Sequence, residues 1–235
     1  MKNLYVFFST AALVLCVMNG AWARQYVPNE GIHNDENRAI PIEDIQRAQA
    51  VPHTVTASTK TVWLRFDGTA GEVVTIQLAV PAITGLEFYR PAFALLGTAM
   101  PALANVPFTL PAGYGGTVYP TSTLGASTPS TEDTTGTTSW VFAEQTITLP
   151  ADGTYYIVGY VPSDHLGKFW LGTGTVERRE FTDILRLPLT IYQVRTFHQI
   201  FPIGGSAALI VLVLLVLVGP ILLIIQLLSQ GCLCG

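Results

Sequence analysis

The chain has 235 residues with 12 basic and 16 acidic side chains, so it offers no polyanion-binding surface, and nucleic acid is excluded as a partner. Hydrophobic residues make up 49% and charged residues only 12%, a skew concentrated in two apolar segments, one at each end. The three cysteines, Cys16, Cys232 and Cys234, lie in or beside those segments, so no disulfide framework staples the rest, which must be held by its own core.

Residues 1–23 carry Lys2, an apolar stretch over 4–18 and then Ala21-Trp22-Ala23, the layout of a secretory signal peptide with an A-x-A cleavage site. An uncleaved anchor is the competing reading. Removal takes one lysine and no acid, leaving 11 basic and 16 acidic side chains. Residues 24–38 are polar, with Pro28, Gly31 and several Asn, and read as a flexible N-terminal segment in which His33 is solvated.

From residue 39 the pattern becomes that of strands. Val62, Leu64 and Phe66 alternate with Trp63 and Arg65, Asp67-Gly68 is turn chemistry, and Val74, Ile76, Leu78 and Val80 share one face. Pro91 marks 88–96 as an edge or bulged strand. Residues 100–111 are apolar and proline-spaced, an irregular connection across the sheet. Residues 117–139 are rich in Thr, Ser, Gly and Pro and read as a long surface loop. Alternation returns over 140–149. It is clearest over 154–161, where Tyr155, Ile157 and Gly159 oppose Tyr156, Val158 and Tyr160, and the last strand spans 168–176. Short strands with turns between them and no intervening helix predict an antiparallel β-sandwich over 39–180.

Leu149-Pro150-Ala151-Asp152-Gly153-Thr154-Tyr155-Tyr156-Ile157-Val158-Gly159-Tyr160 resembles the closing hairpin of bacterial pre-peptidase C-terminal domains. Val62-Trp63-Leu64-Arg65-Phe66, a turn and then 73–79 are similar to their opening hairpin. The resemblance implies a jelly-roll-like sandwich on an exported protein, acting as an accessory to something else. The acidic residues that the family often shows after its second strand are not matched in Phe88-Tyr89-Arg90-Pro91-Ala92-Phe93, so a calcium or ligand role tied to them does not carry over.

Beyond the sandwich, Ile184, Leu187, Ile191, Val194 and His198 fall at helical spacing, with Phe197 and Phe201 beside them. They predict an amphipathic juxtamembrane helix over 181–201, either lying at the membrane surface or packed on the sandwich. Residues 206–228 form a single transmembrane helix. Its apolar run 207–228 would reach roughly 33 Å, enough for a hydrocarbon core of about 30 Å. A tail over 229–235 ends the chain. The signal peptide places the sandwich outside the plasma (cytoplasmic) membrane, although Arg186 and Arg195 oppose that orientation by charge.

No catalytic, cofactor or metal constellation emerges. Ser163-Asp164-His165 has triad residue types, but neighbours in a turn do not converge on one reacting atom. Three groups remain as candidates. Glu177, Arg178, Arg179 and Glu180 form a charged cluster that is either a solvated junction or a partner-docking site. Trp170, Tyr156 and Tyr160 are either strand-face residues or an aromatic ligand face. Cys232 and Cys234 are either reduced thiols or palmitoylation sites. The expectation is a non-enzymatic, single-pass membrane protein whose sandwich binds or assembles with an envelope partner. The alternatives are a carbohydrate-binding surface module or an accessory subunit of a membrane enzyme or transport complex.

Overall fold

A computed structural model describes residues 24–123, 127–178 and 181–200. The expected leader (1–23), the span (206–228) and the tail with Cys232 and Cys234 lie outside the described residues. The chain divides into two compact units, one ending at Arg179 and the other beginning at Glu180.

Among the described residues the first unit contains two sheets. The seven-stranded sheet runs β1 (Gln25–Tyr26), β3 (Gln49–Val55), β12 (Gly167–Thr173), β5 (Val73–Pro81), β9 (Thr137–Val141), β8 (Thr128–Glu132), with β10 (Gln145–Thr148) also paired to β5. The five-stranded sheet runs β2 (Ile40–Pro41), β4 (Thr61–Gly68), β11 (Gly153–Tyr160), β6 (Ala92–Gly97), β7 (Gly115–Pro120). Alternation decides which side chains meet between them. Val62, Leu64 and Phe66 of β4 and Tyr155 and Ile157 of β11 point inward. They meet Val51 and Val55 of β3, Phe169 and Leu171 of β12, and Val74, Ile76, Leu78 and Val80 of β5. One register sets the centre: Leu64 opposes Ile157 and Trp63 opposes Val158, so a slip of one residue would turn this whole set to the wrong face.

Three expectations need correction. Residues 24–38 are not a loose tail. β1 pairs with β3 in one sheet and β2 with β4 in the other, both in parallel register, so the intervening strap covers an edge of each sheet. The strap is held because its polar groups find backbone partners, as in Trp63 N–H to His33 O (2.9 Å) and Thr61 Oγ to Asn34 O (3.1 Å). Second, residues 117–139 are not one long loop. They include the end of β7, all of β8 and the start of β9, which form a Thr-rich hairpin closed over 133–136, with Gly136 at φ 62°. Thr is β-branched and suits a strand whatever its polarity. Third, Pro91 precedes β6 rather than interrupting it, and β6 lies between β11 and β7. Proline at a strand entry costs no ladder bond.

In the second unit, α1 (Phe181–Phe197) contains Pro188 and closes with Gln199 at φ 58°. Ile200 N–H donates to Arg195 O (2.8 Å) and Gln199 N–H to Thr196 O (3.0 Å), the paired bonds of a Schellman stop. Leu189 and Tyr192, one turn apart, are exposed. No helix among the described residues is long and apolar enough to cross a membrane.

Candidate functional site

The charged cluster at the end of the sandwich is only partly described. The Arg178 guanidinium lies 2.8 Å from the Asp44 carboxylate, and Arg178 O accepts from the Arg47 guanidinium (3.3 Å). These bonds tie the outgoing chain to the segment before β3. Arg179 and Glu180 lie outside the described residues.

The aromatic face does not assemble. Trp170 sits between inward-facing Phe169 and Leu171, so it projects from the outer surface of the seven-stranded sheet. There its Nε1–H donates to Ser139 Oγ (3.1 Å), and the Arg24 guanidinium stands 5.9 Å from its ring centre. Tyr156 and Tyr160 project from the outer surface of the five-stranded sheet. The three rings therefore occupy opposite outer faces, and no planar ligand stacks on all of them.

Arg24 is a structural anchor of the strap that the sequence reading missed. It donates from Nη1 to Thr173 O and Gly174 O (both 3.0 Å) and from Nη2 to Gln77 Oε1 (3.2 Å), with Glu144 at 3.9 Å. Burial lowers its pKa, and Glu144 partly restores it. Gly172 makes the room, because a Cβ there would stand 2.9 Å from Nη1. Arg24→Ala should cost about 1–2 kcal/mol, since charge-assisted bonds are lost but the freed carbonyls regain water. Urea denaturation checks the cost, and a loss under a few tenths of a kcal/mol would reduce Arg24 to a surface contact.

Two places on the sandwich gather large apolar or aromatic side chains. The first is the end of the sandwich remote from the chain's exit. β12 starts there at Gly167 and ends at Thr173, roughly 20 Å away at the usual rise per residue. The loop 82–91 and the loop 162–166 meet there: Tyr89 OH donates to His165 O (3.3 Å), and its ring packs where a Cβ on Gly167 would sit. On either side of this contact Phe88 is 88% exposed and Leu166 is 61% exposed. Beside them Asp164 pairs with Lys60 (2.7 Å), which holds its carboxyl below the usual range, while Ser163 Oγ lies 3.2 Å from His165 Nδ1. With Asp164 engaged by Lys60, these three residues form no relay.

The second is the outer face of the five-stranded sheet. Ala92, Ala94 and Val158 give it a shallow floor, and Trp63, Tyr156 and Tyr160 stand around it. Trp63 meets Tyr156 edge-on at 5.8 Å, and Tyr114 lies 5.5 Å from Tyr156. The Trp63 side chain is buried at 1% exposure, and its Nε1–H has no hydrogen-bond partner among the described residues. Elsewhere, no group of three His, Cys, Asp or Glu among the described residues is placed to hold a metal ion.

No protein-family model and no curated protein matches the chain. Solved structures do. The chain is similar to the pre-peptidase C-terminal domain of a Bacillus anthracis collagenase, at 10% identity and TM-score 0.27 over 66% of this chain and 98% of that one. It is similar to CorA, a surface-associated copper-binding protein of Methylomicrobium album BG8, at 11% identity and TM-score 0.31 over 66% and 100%. It is also similar to the secreted copper-binding protein MopE of Methylococcus capsulatus, at 13% identity and TM-score 0.26 over 52% and 71%. The family whose hairpins the sequence resembles is thus among these neighbours. At such identities the likeness is one of fold alone.

Proposed function

We propose that the chain is a non-enzymatic binding module of the cell envelope. Residues 1–23 export it, a span over 206–228 holds it to the cytoplasmic membrane, and a jelly-roll-like sandwich docks a protein partner with its far end. The observation that carries this reading is the exposure of Phe88 and Leu166, two large apolar side chains on loops that the Tyr89–His165 hydrogen bond joins at the end remote from the exit. Such side chains gain free energy only when something covers them, and aromatic anchors dominate interface energetics. Leu189 and Tyr192 on α1 fit a helix that rests its apolar side against a bilayer or a partner.

A photo-crosslinker at position 88 in native membranes should give a discrete adduct that is absent with the probe at exposed Ala70. The Phe88→Ser/Leu166→Ser pair should reduce capture of that same partner about tenfold or more while leaving stability within about 0.5 kcal/mol. Equal adducts at 88 and 70 would overturn the docking reading. The anchor has its own test: thiol reagents should reach Cys232 and Cys234 only from the cytosol, and labelling from outside intact cells would overturn that topology.

A further inference from the structure

Residues 98–114 join β6 to β7 as a flap with prolines at 101, 107 and 111 and no charged side chain. Its ends are fastened. Met100 N–H donates to Gly97 O (3.3 Å), Gly116 N–H to Pro101 O (2.7 Å) and Tyr114 N–H to Pro111 O (3.1 Å). Between them, among the described residues, 102–110 make no hydrogen bond. Leu103, Phe108 and Leu110 hold this stretch by packing on the outer face of the five-stranded sheet. Phe108 stands edge-on to Trp63 at 5.5 Å and to Tyr160 at 5.4 Å.

The flap therefore touches the sheet as a bound peptide would, through a few apolar side chains and without strand pairing. The fit is incomplete at one atom. An indole N–H is a donor only and usually finds an acceptor when buried, yet the flap offers none to Trp63 Nε1. A peptide that laid a carbonyl at that point would match the face better than the chain's own segment does. At the Tyr156 end of this face Arg65 and Asp67 stand two residues apart with opposite charges, and the rest of the packed face is apolar, so a ligand of either sign would lose its water without gaining a net counter-charge. Proline-spaced apolar segments lose little freedom on ordering and lie well on aromatic walls.

We infer that the outer face of the five-stranded sheet is a receptor trough for an uncharged, proline-spaced apolar peptide of a partner protein, and that residues 102–110 occupy it in cis until displaced. The trough is separate from the far end and stands or falls independently of it. Occupancy in cis lowers the apparent affinity for a peptide in trans by the fraction of time the flap is open.

The test uses the full chain in lipid nanodiscs and a fluorescent peptide with the sequence of residues 100–111. The variant Leu103→Ser/Phe108→Ser/Leu110→Ser frees the trough while leaving the inter-sheet core intact. Fluorescence anisotropy should show it binding the peptide about tenfold or more tighter than the wild type, reflecting the lost cis competitor. A peptide carrying Phe108→Ala should bind the variant much less well. A variant that melts cooperatively but binds no better than the wild type overturns the inference, as does equal binding of both peptides. If the triple variant does not melt cooperatively, Phe108→Ala alone replaces it and must still bind the peptide more tightly than the wild type, or the inference is overturned.

Discussion

Gly174→Ala is expected to destabilise the sandwich by about 3–5 kcal/mol, a loss in the range that only named structural faults produce. Gly174 sits where the chain leaves β12, at φ 60°, a conformation that side chains with a Cβ rarely adopt. A Cβ there would also stand 2.3 Å from Gln46 O and 2.4 Å from Arg47 O, well inside contact distance. Both carbonyls belong to the segment that fastens the exit: Gln46 O accepts from Thr175 and Val176, and Arg47 bridges to Val176. Relief would require unfastening the exit. Gly71→Ala separates strain from collision, because Gly71 has φ 80° but nothing within 4 Å of its added Cβ. Gly71→Ala should cost about 1 kcal/mol. Urea denaturation of both variants checks the difference. Equal costs would mean that the neighbouring carbonyls yield and that the exit is not rigid.

What the sequence revealed follows from how far apart the cooperating residues lie. The facing patterns of β4 and β11 were legible because period-two alternation is written into consecutive residues. That Trp170 and Tyr156 lie on different outer surfaces was not, because that depends on sheet membership, and β12 joins β3 and β5 rather than β11. The strap was illegible for a similar reason. Arg24 is read locally as a polar residue in a polar stretch, yet its partner Thr173 is 149 positions away. Thr137-Thr138-Ser139, the start of β9, is misread for another cause: loop composition is weighed above the strand preference of β-branched threonine. The proline-spaced flap was recognised as an irregular connection, but a sequence does not reveal that such a segment packs on Trp63 and leaves its N–H unpaired.

Acidification should weaken the sandwich through His53 by about 2–3 kcal/mol between pH 7.5 and pH 4.5. The ring is 2% exposed and stacks edge-on to Phe169. Its Nε2 faces Thr59 O at 3.1 Å, an acceptor, so Nε2 carries the proton and Nδ1 accepts from Asn29 Nδ2 at 3.1 Å. Burial lowers the pKa to about 4, against a smaller raising effect of the Thr59 carbonyl. A second proton on Nδ1 would confront the Asn29 amide donor. Asn29 has no easy flip, because its Nδ2 also donates to Pro52 O (3.0 Å) and its Oδ1 accepts from Gly31 N–H (2.9 Å). The folded-state pKa lies below the unfolded value near 6.5, so the unfolded chain binds the proton more readily between those limits. The contribution is complete above pH 6.5 and is lost as pH falls toward 4. Since Asn29 belongs to the strap between β1 and β2, acid should also loosen the cover on that edge. Urea denaturation of the wild type and His53→Gln at both pH values isolates the effect. The wild type should lose about 2–3 kcal/mol more than the variant, and equal losses would show that the ring ionises without cost in the fold.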